Sequence, residues 1–583
     1  MKDGRLMRRG LGWVELVILL GALSVLVRGD RPNVILIMTD DQGYGDLGCH
    51  GNPILKTPHL DRLFAESVRL TNFHVSSFCT PTRAALMTGH HPGRTGAYRT
   101  SSGRTMMHPD ERTIAHFFAE SGYATGMVGK WHLGDNAPHR PQDRGFDDVV
   151  WHRCGGVGQA SDYWGNDYFD DTYERNGKYE SFEGYCTDVW FAEADRFVTQ
   201  HRDRPFFLYV APNAPHGPYR VPPEWSAPYQ GRAKWRFGPE FYGMVANIDH
   251  HVGRLRERLV SLGLERNTIF IFMTDNGTAN GATFSSLTSE AVEGFNAGMR
   301  GKKSSIYEGG HRVPFFIRWP AGGIGGGRDL GVLAAHLDVL PTLAELCGVD
   351  LPPGERGDGF SFAAQLSDLS APAHRNHLVI QYQGGPYFDQ APIPWSFSCV
   401  LRGQWRLMDG KALYHVGRDP SQREDVSADY PEIVTALRAL YPAFWEVVSP
   451  RMTPVSIDLG SAAENPTLLA SQDWYLPLKN PPWNFGQIRR LPRVTGPWMV
   501  NVRRAGRYRF TLRQFPAVAQ KPLEAVRARI RISGIERERR VRSGSQEVVF
   551  ELDLPAGKAE LWTWLYDQAG EAGGAYFTEV EAL

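Results

Sequence analysis

The chain of 583 residues lacks net charge of either sign, with Lys+Arg 64 against Asp+Glu 64. A protein that binds nucleic acid over its whole surface needs a basic excess to displace counterions from phosphate, and the balance excludes that class. It excludes an acidic disordered tail protein as well. Cysteine is scarce. Cys49, Cys79, Cys154, Cys186, Cys347 and Cys399 are too few for a disulfide scaffold, and no Cys-x-x-Cys pair offers a zinc site. No internal repeat, collagen-like period or low-complexity tract occurs, although Gly 62 and Pro 39 imply many loops.

What is present points to a large exported globular chain. A composition of 42% hydrophobic and 12% aromatic residues can fill sizeable cores, and a soft prior of ~150 residues per domain gives at most ~4 domains. Lys2, Arg5, Arg8 and Arg9 precede an apolar run from Leu11 to Val27, the charged and apolar regions of a secretory signal. Residues 1–29 therefore read as a signal peptide, with an uncleaved N-terminal anchor as the alternative, since ~17 residues is the shortest stretch that crosses a bilayer. The expected location is the periplasm or the outside of the cell.

From about residue 30 to 450, short β-rich apolar runs alternate with amphipathic stretches, the pattern of βαβ units around a mostly parallel sheet flanked by helices. Four runs lead into reactive residues: Val34–Thr39 into Asp40-Asp41, Ala124–Gly129 into Lys130-Trp131-His132, Phe206–Val210 through a Pro-rich loop to His216, and Thr268–Thr274 into Asp275-Asn276. Loops leaving the carboxyl ends of strands in open α/β sheets converge on one crevice, so these clusters are expected to share a site. Three carboxylates and an amide oxygen are hard ligands, suited to Ca²⁺ or Mg²⁺. Any single Asp at a strand end is more often a turn or cap residue, and the recurrence at two strand ends is what favours a metal. Cys79 opens an expected helix through Met87, four residues before Arg83, a positive environment in which a reactive thiol is plausible.

Cys79-x-Pro81-x-Arg83 followed by Thr88-Gly89 resembles the signature of type I sulfatases, in the alkaline phosphatase superfamily. The same order of motifs continues in Asn33–Asp46, Gly129–Gly134, Ala214-Pro215-His216, Thr274–Gly277 and Lys303–Gly310, so the resemblance covers roughly residues 31–450. Thr80 and Thr82 depart from the usual Ser, while the Cys, Pro and Arg are intact. The resemblance implies a large mixed, mostly parallel sheet with a small antiparallel subdomain at about 375–450. It implies that a maturation enzyme oxidises Cys79 to Cα-formylglycine, whose hydrate attacks sulfur and later expels sulfate. It also implies one Ca²⁺, with Mg²⁺ as the alternative, held by Asp40, Asp41, Cys79, Asp275 and Asn276. By the same resemblance Arg83 and Lys130 hold the aldehyde-derived group, and Lys130 and Lys303 bind sulfate oxygens. His132 then assists elimination, and His216 donates to the leaving oxygen. The implied substrate is a sulfated small molecule or glycan, carbohydrate sulfates first. The rival reading is a phosphonate monoester or phosphodiester hydrolase of the same superfamily.

Other histidines read as structural: His90-His91, His250-His251, and His336 near Asp338 ahead of an expected helix. Loops 151–185 and 381–399, which match no motif, are expected to set sugar specificity. Residues 451–497 read as a linker, of which 461–497 are rich in Pro, Trp and Asn. Residues 498–583 alternate like strands and read as a separate β-sandwich-like module. Between Arg503 and Arg542 thirteen Lys or Arg stand against three Glu. That stretch reads mainly as solvated strand faces. Its sharper reading is a face that holds a polyanionic glycan near the active site.

Overall fold

The computed structural model describes residues 31–382, 393–476 and 480–583. The segment read as signal or anchor lies outside the described residues, as do residues 383–392 of the second unmatched loop. Among the described residues no helix is long and apolar enough to cross a membrane.

Asn33–Thr39 is buried along its whole length, as a strand covered by helices on both faces must be. This strand, β1, lies within a mixed sheet of ten strands. The others, in chain order, are β2 (Val68–Leu70), β3 (Ala124–Lys130), β4 (Asp148–His152), β5 (Thr172–Arg175), β6 (Lys178–Ser181), β7 (Phe206–Ala211), β8 (Thr268–Thr274), β9 (Phe315–Arg318) and β10 (Arg328–Leu330). Across the sheet they run β10-β2-β9-β8-β1-β7-β3-β4-β5-β6. The block from β8 to β4 is parallel, and β9, β5 and β6 pair antiparallel at its flanks.

Alternation of side chains along a strand divides the core in two. Val34, Leu36 and Met38 enter the layer containing the helices Cys79–Thr88, Ile114–Glu120 and Val339–Cys347. Ile35 and Ile37 enter the opposite layer, with Pro58–Glu66, Cys186–Gln200 and Gly238–Ser261.

A small antiparallel sheet follows, β11 (Leu378–Gln381), β12 (Ser398–Arg402), β13 (Trp405–Met408) and β14 (Ala412–His415). The apolar pattern from Ile433 to Trp445 is carried by two helices, Pro431–Arg438 and Tyr441–Val448. Pro442, which has no N–H to donate, sits in the first turn of the second and cannot continue the first.

The C-terminal part is a two-sheet β module. Its strands are β15 (Ile457–Leu459), β16 (Thr467–Ala470), β17 (Trp498–Val502), β18 (Gly506–Arg513), β19 (Arg527–Ile532), β20 (Ile535–Arg540), β21 (Val548–Leu554), β22 (Gly557–Tyr566) and β23 (Phe577–Ala582). One sheet runs β15-β17-β22-β19-β20, with the two-residue strand Ala572–Gly573 paired to β22, and the other runs β16-β23-β18-β21. Val500, Ile530 and Leu561 of the first share one core with Phe510, Phe550 and Val580 of the second. Residues 451–497 are therefore more than a linker, because β15 and β16 belong to these sheets. Strands of three and four residues are too short for their alternation to show in sequence. Met106 and Ala160 of the α/β domain belong to the module's core cluster, so the two parts are packed together.

Candidate active site

β1 and β8 pair in parallel with Thr39 opposite Thr274. Their twin Thr-Asp ends therefore leave the sheet side by side, and the Asp41 N–H donates to Asp275 Oδ1 at 3.0 Å. β3 ends on Lys130, two residues before His132, and the loop after β7 carries His216. Asp41 and His132 both hold left-handed backbone conformations, φ 69° and 60°, which residues with a Cβ adopt at a cost and which cluster at functional sites. At Gly277 an added Cβ would lie 1.8 Å from the Gly309 carbonyl oxygen. Backbone meets backbone there, and the Lys303–Gly310 loop is drawn against the Asp275-Asn276 turn.

The site is a lattice of opposed charges. Lys130 Nζ donates to Asp40 Oδ2 at 2.7 Å. Arg83 donates to Asp275 Oδ2 at 2.9 Å, to the Tyr209 hydroxyl at 3.2 Å and to the Lys130 carbonyl at 3.1 Å. Lys303 Nζ lies 2.6 Å from Asp41 Oδ1. Burial pushes the Asp40 carboxyl well above its usual range and Lys130 only partly offsets it. At Asp41 burial is outweighed by Lys303 and His216, and at Asp275 by Arg83 and Lys130, so both fall below the usual range. At Asp40 the neighbouring Asp275 and Asp41 carboxylates add to the effect of burial.

The donor set fits a hard divalent cation. Asp40 Oδ1 and Asn276 Oδ1 are buried and accept no hydrogen bond among the described residues. Asn276 spends its amide on Asp41 Oδ1 and the Gly277 carbonyl, both at 2.9 Å, which leaves its oxygen free to ligate. Ligand atoms of Asp40, Cys79 and Asp275 lie within 4.8 Å of one another. Oxygen donors of this kind suit Ca²⁺ or Mg²⁺ rather than a soft metal.

Cys79 is the first residue of the helix Cys79–Thr88 and is buried. Burial pushes its thiol up to about 12 despite Lys130 and Lys303, so the unmodified side chain is not the activated thiolate that its helix position suggested. It lines a cavity of about 190 Å³ with His132, His216 and Lys303. His132 Nε2 donates to the Thr100 carbonyl at 3.2 Å, and its Nδ1 is a buried lone pair without a partner among the described residues. His216 Nδ1 donates to the Gly217 carbonyl at 2.6 Å, leaving Nε2 3.7 Å from Asp41 Oδ2. Burial holds His216 down to about 3, so it is neutral here and donates from Nε2 only after taking up a proton.

All ten residues singled out in the sequence thus meet at one place. Thr100, Ser101, Gln159, Gln472, Asn480 and Trp483 share the cavity and carried no motif; the Pro, Trp and Asn texture after residue 461 was the only trace of the last three. The remaining histidines serve the fold. His90 pairs with Glu111 at 2.6 Å, His251 with Asp188 at 2.6 Å, and Asp338 binds Arg375 at 2.6 Å.

A family profile described as Sulfatase matches residues 32–349. The chain belongs to the sulfatase family. N-acetylgalactosamine-6-sulfatase of Mus musculus is 30% identical over 73% of this chain and 88% of its own length. Arylsulfatase A of Homo sapiens is 35% identical over 71% of this chain and 80% of its own. Among solved structures, Ps i-CgsB in complex with k-i-k-neocarrahexaose superposes with a TM-score of 0.63 at 27% identity, covering 73% of this chain and 95% of that one. The sulfatase is therefore a sulfuric ester hydrolase of α/β fold, and its family implies a metal and a formylglycine.

Proposed function

We propose that this sulfatase removes sulfate from carbohydrate sulfate monoesters, with Cys79 converted to formylglycine by a maturation enzyme and one Ca²⁺ held by Asp40, Asp41, residue 79, Asp275 and Asn276. The observation that carries the reading is the small cavity in which Cys79 meets Lys303, His132 and His216 beside three carboxylates. When bound, the metal supplies Lewis-acid polarisation of the nucleophile and a sulfate oxygen, and the formylglycine supplies a nucleophile whose sulfated form can be discharged without water attacking a stable ester.

The chain's own residues do the rest. Lys303 presents its ammonium group to the sulfate oxygens, and Lys130, buried against Asp40, adds positive charge where negative charge accumulates during transfer. Arg83, tied to Asp275 and Tyr209, holds the first turn of the Cys79 helix against the metal ligands. The partnerless Nδ1 of His132 faces proton abstraction, the task of a base. His216, protonated on substrate binding, hands its Nε2 proton to the leaving sugar oxygen.

Two relatives support the carbohydrate class by name, the N-acetylgalactosamine-6-sulfatase and the structure holding neocarrahexaose. The N-terminal segment that reads as a secretory signal supports export. The test is a comparison of kcat/KM on 4-nitrophenyl sulfate, a phosphate diester and a phosphonate monoester, followed by a desulfation screen on sulfated saccharides. Sulfate turnover is expected to exceed the other two; faster phosphonate or diester turnover would replace this reading with the rival hydrolase.

A further inference from the structure

Residues 483–489 lie outside the stretch that the sulfatase profile matches, yet Trp483 walls the cavity over Cys79, and Asn484, Phe485, Gly486 and Arg489 wall the cavity beside it. The inner cavity of about 190 Å³ shares Gln159, His216, Lys303 and Trp483 with an outer cavity of about 780 Å³, so the two adjoin. The outer volume falls in the range of small-molecule sites, roughly 300–1,000 Å³.

The wall is fixed rather than draped. The Ala160 N–H donates to the Trp483 carbonyl at 2.9 Å and the Phe485 N–H to the Gly158 carbonyl at 3.2 Å. The Trp483 N–H donates to Gln487 Oε1 at 2.9 Å, and the Phe485 and Trp164 rings meet at 4.5 Å. Two side chains are left for a ligand. Trp483 is half-buried, lines both cavities and packs on no other aromatic ring among the described residues. Arg489 is exposed at the outer rim, over the Trp164 ring, with no carboxylate partner among the described residues. Arg220 at the same rim is tied to Asp167 at 2.6 Å.

We propose that this C-terminal wall is the subsite for the alcohol part of the substrate. Trp483 stacks on the sugar ring whose sulfate reaches residue 79, and Arg489 takes a second anionic group, carboxylate or sulfate, farther along the saccharide. An indole offers a broad apolar face to the C–H surface of a sugar ring, and the guanidinium fork matches an oxyanion geometrically. The proposal rests on the sulfatase reading of the same cavity and adds that the C-terminal module selects the substrate by contact.

The test compares full-length wild type, Trp483→Ala, Trp483→Phe and Arg489→Gln on 4-nitrophenyl sulfate and on sulfated tetrasaccharides cut from chondroitin 6-sulfate, heparan sulfate and carrageenan. Trp483→Ala and Arg489→Gln are each expected to cost the best tetrasaccharide about tenfold more in kcat/KM than they cost 4-nitrophenyl sulfate, mainly through KM. Trp483→Phe should recover most of the loss. Equal losses on both substrates, no loss on either, or a wild type that prefers 4-nitrophenyl sulfate to every tetrasaccharide overturns the subsite. A wild type inert on all of them defeats the sulfatase reading, and calorimetric binding of the same tetrasaccharides then judges the wall: about tenfold weaker binding by Trp483→Ala upholds it, unchanged binding overturns it.

Discussion

Arginine and lysine are used in opposite ways at the two ends of this molecule. At the ends of β1, β3 and β8 the cations are few and buried or nearly so, and each holds a carboxylate: Arg83 with Asp275, Lys130 with Asp40, Lys303 with Asp41. On β19 they are many and solvated. Arg527 meets Glu538 at 2.9 Å and Arg529 meets Glu536 at 3.5 Å across to β20, while their guanidinium groups lie over Tyr566 and Trp564 of β22 at 4.0 and 4.2 Å. This stripe lines neither cavity at Cys79. Local density of charge in a sequence is therefore a poor guide to electrostatic function; isolation in a dry place is the better one, because a charge there has no solvent to replace a lost partner.

The sharpest way to break the contrast is Lys130→Met. It strands Asp40 in the core, and removal of one partner of a buried pair costs about 3–5 kcal/mol. Chemical denaturation should show that loss, and sulfate ester turnover should fall by on the order of 10³-fold. Chelation comes next. Stripping divalent metal with EDTA should abolish turnover and lower Tm, and Ca²⁺ should restore both, since a ligand that binds only the folded state stabilises it. A Tm indifferent to EDTA would remove the metal from the account of these carboxylates.

Much of this site was legible in the sequence because its motifs stand where strands end. Met-Thr-Asp recurs after two buried runs, and the parallel register of β1 and β8 turns that repetition into adjacency. The cavity wall was not legible: Trp483 and Gln472 reach the site through the packing of β15 and β16, which are too short to announce themselves. Cys79 was legible as a position and misleading as chemistry, because a helix start promises a low thiol value and burial reverses it. The break at Pro442 was visible, yet the apolar pattern runs across it from Val434 to Val448.

Asp249 lies between the two regimes: a buried acid with no cation beside it among the described residues. It accepts the Leu60 and His59 N–H groups at 2.7 and 3.3 Å, and burial raises it to about 7. The folded carboxyl thus keeps a proton that the unfolded chain releases near pH ~4. Its contribution to stability is whole below that value and is lost as pH rises through about 7. Thermal melts across that window should decline for wild type and decline less steeply for Asp249→Asn, the rest of the slope coming from other buried acids such as Asp46, which burial also raises to about 7. The smallest effect belongs to the stripe: Arg529→Ala should cost about 1 kcal/mol or less, with kcat/KM unaltered. A large loss of activity there would erase the distinction between the two regions.

The central claim is that residue 79 acts as formylglycine in a sulfate ester hydrolase. The most direct measurement is the mass of the tryptic peptide Leu70–Arg83 from active protein purified from its native host. The account predicts formylglycine or its hydrate at residue 79; unmodified cysteine throughout an active preparation would contradict it.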